Sequence, residues 1–88
     1  MNDRILFVSI KGPDGIVFEG QVDALSSVNE VGPFDVLPLH ENFIALIKDK
    51  LILYNKKEKV KELAIDGGVI HISRNIAHIF LGIEAIHK

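Results

Sequence analysis

The sequence predicts an all-β fold, a small β-sandwich or flattened barrel of about eight to ten short, mainly antiparallel strands. Apolar segments of roughly four to eight residues recur along the chain, and β-branched and aromatic side chains are frequent in them. Glycine, proline, asparagine and aspartate separate these segments every few positions. No stretch keeps the period of about 3.6 residues that an amphipathic helix requires.

Length and composition restrict the function further. The 88 residues predict one domain, 1–88, with one core, and the lack of cysteine excludes disulfides, thiolate ligands and a cysteine nucleophile. A net charge of −2 argues against a nucleic-acid partner, because such proteins need a basic face to displace counterions from phosphates. The apolar segment near the start is far shorter than the roughly 20 residues of a membrane span, so a cytoplasmic protein is expected.

The first three strands follow from alternating apolar segments and turn residues. Residues 5–10 are apolar except for Ser9 and predict a strand with both faces buried. The sequence Gly-Pro-Asp-Gly at 12–15 is a strong turn signal, so residues 16–18 are expected to form a hairpin with the first strand. Residues 21–28 predict the next strand.

The middle of the chain contains an excess of apolar residues. Residues 43–47 and 51–54 predict two strands separated by the charged residues at 48–50. Together with the first strand they hold more apolar side chains than the inner faces of one small core can bury, which favours an exposed apolar patch for a partner. Residues 60–65 have mixed sidedness, and the Asp-Gly-Gly at 66–68 predicts a tight reversal or a bulge.

The last two strands can be predicted with their register. A two-residue turn at 74–75 joins strands at 69–73 and 76–81. In this register His71 opposes His78 on one face, and the isoleucines and an alanine align on the other. A shift by one residue would destroy this agreement.

The His71 and His78 pair is the strongest candidate for a ligand or metal site. Two imidazoles on neighbouring strands can approach one ion, but a zinc site takes at least three protein ligands and no local residue supplies the third. Cross-strand packing is the favoured interpretation, and a stand-alone binding module that uses this face is the alternative. No catalytic, metal or cofactor-binding residues are predicted, because the chain has neither a phosphate-binding loop nor a nucleophile elbow.

The most distinctive segment is Gly32-Pro33-Phe34-Asp35-Val36-Leu37-Pro38-Leu39-His40. Pro33 and Pro38 carry no amide hydrogen, so an interior strand is excluded and a sheet edge or projecting loop is expected. Three apolar side chains are expected beneath it, namely Phe34, Val36 and Leu37. A packed corner without any partner is the alternative.

The order of these features resembles the N-terminal β-sandwich domain of the epsilon subunit of F-type ATP synthases, called delta in mitochondria. Residues 17–20 match the family's short "hydrophobic-Phe-x-Gly" strand, and residues 66–69 match its Gly-Gly step into a hydrophobic strand. The family's central segment, Gly-x-hydrophobic-Gly-hydrophobic-hydrophobic-Pro-Gly-His, is matched at Gly32, Phe34, Val36, Leu37, Pro38 and His40. The sequence departs from that pattern at Pro33, Asp35, Leu39 and 41–43.

The resemblance implies a non-catalytic rotor subunit of a proton- or sodium-translocating ATP synthase, without a cofactor, which couples the gamma subunit to the c-ring. It implies a peripheral position at the cytoplasmic face of the cell membrane, through the complex. The residues implied to face the c-ring are Glu30, Gly32, Phe34, Pro38 and His40. The family's C-terminal helical hairpin has no counterpart in these 88 residues, so ATP binding and helix-mediated inhibition are not expected.

Overall fold

A computed structural model describes residues 5–39 and 42–82, and in this part of the chain every regular element is a β-strand. The seven strands are β1 (Leu6–Gly12), β2 (Gly15–Val22), β3 (Ala24–Val28), β4 (Pro33–Val36), β5 (Phe43–Asn55), β6 (Glu58–Ser73) and β7 (Ile76–Leu81). They form one sheet in the order β2-β1-β7-β6-β5-β3-β4. Every neighbouring pair is antiparallel except β1 with β7, which is parallel.

The sheet bends into two layers where its two longest strands lose their register. β5 has 13 residues and β6 has 16, and their pairing is interrupted between Ile47 and Asp49. The first layer contains β2, β1, β7 and residues 68–73 and 43–47. The second contains residues 58–65 and 49–55 with β3 and β4. Asp49 takes the left-handed conformation at this corner, with φ of 70°.

One hydrophobic core fills the space between the layers. The first layer contributes a set of wholly buried side chains from three strands, Leu6, Val8, Ile10, Ile70, Ile72, Ala77 and Ile79. The second contributes Leu25, Val36, Leu51 and Leu53. Residues from both ends of the sheet therefore meet in one cluster, which a flat sheet could not achieve and a sandwich requires.

The predicted all-β sandwich is confirmed, with fewer and longer strands than expected. The segments predicted separately at 43–47 and 51–54 are one strand, because the charged residues between them form a bulge and not a turn. The Asp-Gly-Gly sequence is likewise a bulge within β6. Residues 21–28, expected as one strand, are divided at Asp23, whose carboxylate accepts a hydrogen bond from the Lys56 amide at 2.6 Å.

The predicted register of β6 and β7 is confirmed in full. His71 pairs with His78, and Ile70 with Ile79. Arg74 and Asn75 both have positive φ, 53° and 64°, as a two-residue hairpin turn of type I′ requires. The first strand is less deeply buried than predicted, since its Phe7 side chain is 39% exposed.

Gly68 is required at the corner because another strand passes too close for a side chain. A Cβ there would lie 2.5 Å from the Phe80 carbonyl oxygen and 3.3 Å from the Leu81 Cα. We expect Gly68→Ala to lower the free energy of unfolding by about 1–3 kcal/mol, the usual cost of overpacking, in urea denaturation. Gly12→Ala is the matched control, because its Cβ would meet only the Val17 side chain at 3.5 Å. Equal losses in the two variants would contradict this account.

Candidate functional site

The distinctive proline-containing segment forms an edge of the sheet. Residues 33–36 are β4, which pairs only with β3, so the predicted edge position is confirmed. Val36 is wholly buried, and the Phe34 ring packs at 5.6 Å from that of Phe43. Leu37 was expected beneath the segment, but it is 57% exposed, because it follows the buried Val36 and lies with Asp35 on the outer side.

The residues expected at one c-ring contact are not brought together. Glu30 and Gly32 precede β4, whereas Pro38 follows it, so they lie at opposite ends of that strand. Pro38 is six positions after Gly32, which corresponds to roughly 20 Å of extended chain. Phe34 is partly buried in contact with the core. His40 lies outside the described residues.

A tightly held turn connects β3 to β4. The Asn29 side-chain carbonyl accepts hydrogen bonds from the amides of Val31 at 2.8 Å and Gly32 at 3.1 Å. Two backbone hydrogen bonds also link Asn29 with Gly32. Gly32 has φ of 142°, which side-chain-bearing residues rarely adopt. The turn consequently holds Val31 at its tip with 96% of the residue exposed.

Sequence reasoning missed Asn29 and Val31. The signal was present in Asn29-Glu30-Val31-Gly32, because an asparagine two or three residues before a glycine is typical of a turn closed by the side chain. In such a turn the residue just before the glycine, here Val31, lies at the tip.

The outer face of the first layer is rich in apolar side chains. We define the apolar face by its residues Phe7, Ile44, Leu46, Val69, Ile76 and Phe80, which surround His71 and His78. Ile44 is 68% exposed and Leu46 is 60% exposed, although both lie within a strand. This face confirms the expected excess of apolar residues over what one core can bury. Lys11 and Glu19 are charged residues on it, at the β1 and β2 side. Three more charged residues line a depression beside Leu46, namely Glu30, Lys48 and Asp66.

The outer face of the second layer is more polar. Ser26 donates a hydrogen bond to Asp35 at 2.5 Å, and Lys59 forms an ion pair with Glu62 at 3.2 Å. A shallow groove of about 560 Å³ lies on this side, with Tyr54 among its lining residues. These two polar pairs lie within the domain, and the first layer's outer face is mainly apolar, so the two outer faces differ in character.

The His71 and His78 pair occupies the centre of the apolar face. The pairing register places Ser9 beside His78 and Ile44 beside His71. Among the residues that the structure describes, no group of three or more histidine, cysteine, aspartate or glutamate side chains could hold a metal ion. The pair is therefore interpreted as part of a contact surface and not as a metal site.

The turn and the apolar face adjoin each other. Small depressions of about 210 and 240 Å³ lie between them, and both are lined by Glu30 and Leu46. Contacts made by Val31 at the tip and by Leu46 on the face can thus belong to neighbouring parts of one surface.

The fold and these surfaces define a small β-sandwich domain with an apolar outer sheet face and a hydrogen-bonded turn that exposes Val31. In residues 5–39 and 42–82 there is no helix with the length and apolar character to cross a membrane. Residues 5–82 match the family described as ATP synthase, Delta/Epsilon chain, beta-sandwich domain. The chain belongs to this family.

Individual relatives agree with this assignment. The chain is 33% identical over 75 residues to the ATP synthase epsilon chain of Leptospira interrogans serovar copenhageni. The matched region covers 85% of this chain and 59% of that relative. The chain is also 33% identical over 78 residues to the ATP synthase epsilon chain of Levilactobacillus brevis, covering 89% and 56%. The matched part therefore spans well under two thirds of the length of these relatives.

Solved structures share the fold. A chain in the mitochondrial ATP synthase of Euglena gracilis, from a structure of OSCP, F1 and c-ring, superposes with a TM-score of 0.80 at 18% identity, covering 89% of this chain and 51% of that one. A chain in the central stalk and c-ring of the Tetrahymena thermophila enzyme gives 0.70 at 12% identity, covering 86% and 62%. At such identities the likeness establishes the fold.

We expect Asn29→Ala to loosen the turn, because the Val31 amide loses the acceptor that holds it. The free energy of unfolding should fall by about 0.5–2 kcal/mol, as at other side-chain caps. Hydrogen exchange of the Val31 amide should accelerate by about tenfold or more. Asn29→Asp keeps the acceptor oxygen and serves as the control. Unchanged Val31 exchange in Asn29→Ala would contradict the role of this side chain.

Proposed function

We propose that this domain is a non-catalytic part of the rotor of an F-type ATP synthase, in the central stalk between the gamma subunit and the c-ring. Membership of the delta/epsilon family supports this function, as does the likeness to chains of solved central-stalk complexes. The observation that carries it is the apolar face, which a free-standing domain would leave in water. The proposed place is peripheral, at the cytoplasmic face of the cell membrane, in an enzyme driven by protons or sodium ions.

The apolar face is the proposed docking surface for gamma. Permanent interfaces resemble a protein core, with aromatic and aliphatic side chains and few charges at their centre. The outer face of the first layer has this composition, whereas that of the second layer carries Asp35, Lys59 and Glu62. Ile44 and Leu46 project from a regular strand, so they can pack against a partner without rearrangement of the backbone.

The turn that carries Val31 is the proposed contact with the c-ring. Of the residues expected there, Glu30 and Gly32 belong to this turn, and Phe34 supports it from the core side. Pro38 lies at the other end of β4, so a single small contact cannot include it together with Glu30. The proposed contact is made by Glu30 and Val31, and the Pro38 end is the alternative that the cross-linking experiment below distinguishes.

Leu46→Glu tests the gamma-docking surface. A carboxylate placed under the partner would lose its water among apolar side chains, so binding to the cognate gamma subunit should weaken by about 100-fold in calorimetry. Val60→Glu is the control, because Val60 is also half exposed, at 50%, but belongs to the second layer. Equal weakening by both variants would exclude this face as the docking surface. Absence of wild-type binding at micromolar concentration would contradict the proposed function itself.

Cysteine cross-linking tests which end of β4 meets the c-ring. The chain has no cysteine, so Val31→Cys and Leu39→Cys each provide one thiol at an exposed position, 96% and 69% exposed respectively. In the assembled enzyme, a short bifunctional reagent should join the residue 31 thiol to a cysteine in a polar loop of the c subunit. Cross-linking from residue 39 alone would favour the Pro38 end.

A further inference from the structure

Two ionisable side chains stand where the proposed docking surface is otherwise most apolar. His71 and His78 are a directly opposed cross-strand pair, with Cβ atoms about 4.5–5.5 Å apart. Both side chains are exposed to solvent in the isolated domain. Histidine is the side chain whose charge ordinarily changes between about pH 5 and 8.

The charged groups on the face beside the pair, Glu19 and Lys11, have opposite signs, so together they supply no net negative charge. Its neighbours on the face, from all four adjoining strand segments, are Ser9, Ile44, Val69, Ser73, Ile76 and Phe80. The Glu19 carboxylate accepts a hydrogen bond from the Ser9 hydroxyl at 3.4 Å, and Ser9 pairs directly with His78, so this carboxylate lies on the His78 side of the pair. Lys11, the other charged residue of the face, is cationic and adds to the repulsion.

A partner seated on this face would cover both imidazoles. Two positive charges at opposed positions repel each other, and burial removes both from water beside a single carboxylate of the described chain, that of Glu19. The neutral imidazoles carry neither penalty. Both side chains are exposed in the isolated domain, where a charged imidazole keeps its water, so the complex holds fewer protons than its separate components.

We propose that the His71 and His78 pair makes docking of the gamma subunit pH-dependent, so that the joint is tight at neutral pH and weakens in acid. This inference rests on the proposed function, since it takes gamma as the occupant of the apolar face. The sign follows from proton linkage: a complex that binds fewer protons than its parts is favoured as pH rises and is disfavoured as pH falls.

Affinity for the cognate gamma subunit at pH 7.5 and at pH 5.5, at constant ionic strength, tests the proposal. Each imidazole that must release a proton weakens binding by up to tenfold per pH unit. For the wild type we expect a loss on the order of 100-fold between the two pH values, and for H71Q or H78Q alone on the order of tenfold. The double variant should retain only the pH dependence that gamma itself contributes.

Two further readouts separate this role from a structural one. Calorimetry near pH 6.5, in buffers of different ionisation enthalpy, should detect proton release on binding for the wild type and not for the double variant. Urea unfolding at both pH values checks that the variants fold, which their exposed positions favour. Equal pH dependence in wild type and double variant, or tighter binding in acid, would overturn the inference while leaving docking intact. Failure to bind at pH 7.5 would instead overturn the docking proposal on which it rests.

Discussion

The whole structure depends on one bend in a single continuous sheet. Seven hydrogen-bonded strands would otherwise leave both faces in water, so the sheet must turn back on itself to form a core. The turn is possible because β5 and β6 lose their register at the same place, between Ile47 and Asp49 and beside Gly68. The Gly68 Cα lies so near the neighbouring β7 backbone that a side chain there would collide with it.

The bend also decides which apolar residues are left outside. Along the first half of β5, Ile47 faces the core, whereas Ile44 and Leu46 point the other way from the same strand. No second sheet or helix of the described chain covers that outer side. A strand that is apolar on both faces is typical of a sheet covered on both sides. The sequence of β5 therefore suits a strand whose outer side packs against something that the described domain does not contain. The proposed place in a multisubunit assembly would supply a physical reason for this excess of apolar residues.

Sequence reasoning succeeded where local signals determined the geometry. The β6–β7 hairpin was predictable in register, because a two-residue turn and an alternating pattern on both strands allow only one alignment. The corner was not predictable, since charged residues at 48–50 fit a turn as well as a bulge. The position of Pro38 relative to Glu30 depends on β4 pairing with β3, a contact that no local pattern specifies. Family resemblance identified the domain correctly but treated the segment from Gly32 to His40 as one contact.

The edge strand β4 explains why the two ends of this segment lie apart. β4 is short, begins with Pro33 and carries Asp35 on its outer side, three features that prevent an exposed edge from pairing with other chains. The segment that most resembles a family signature therefore includes β4, which protects the edge of the sheet and sets the distance between the two ends of the segment. Its conformational rigidity comes from Phe34 and Val36 in the core and from Asn29 at the turn. A partner at one end would consequently meet a preorganised turn, and force applied there would pass through β4 into the core instead of being absorbed by a flexible loop.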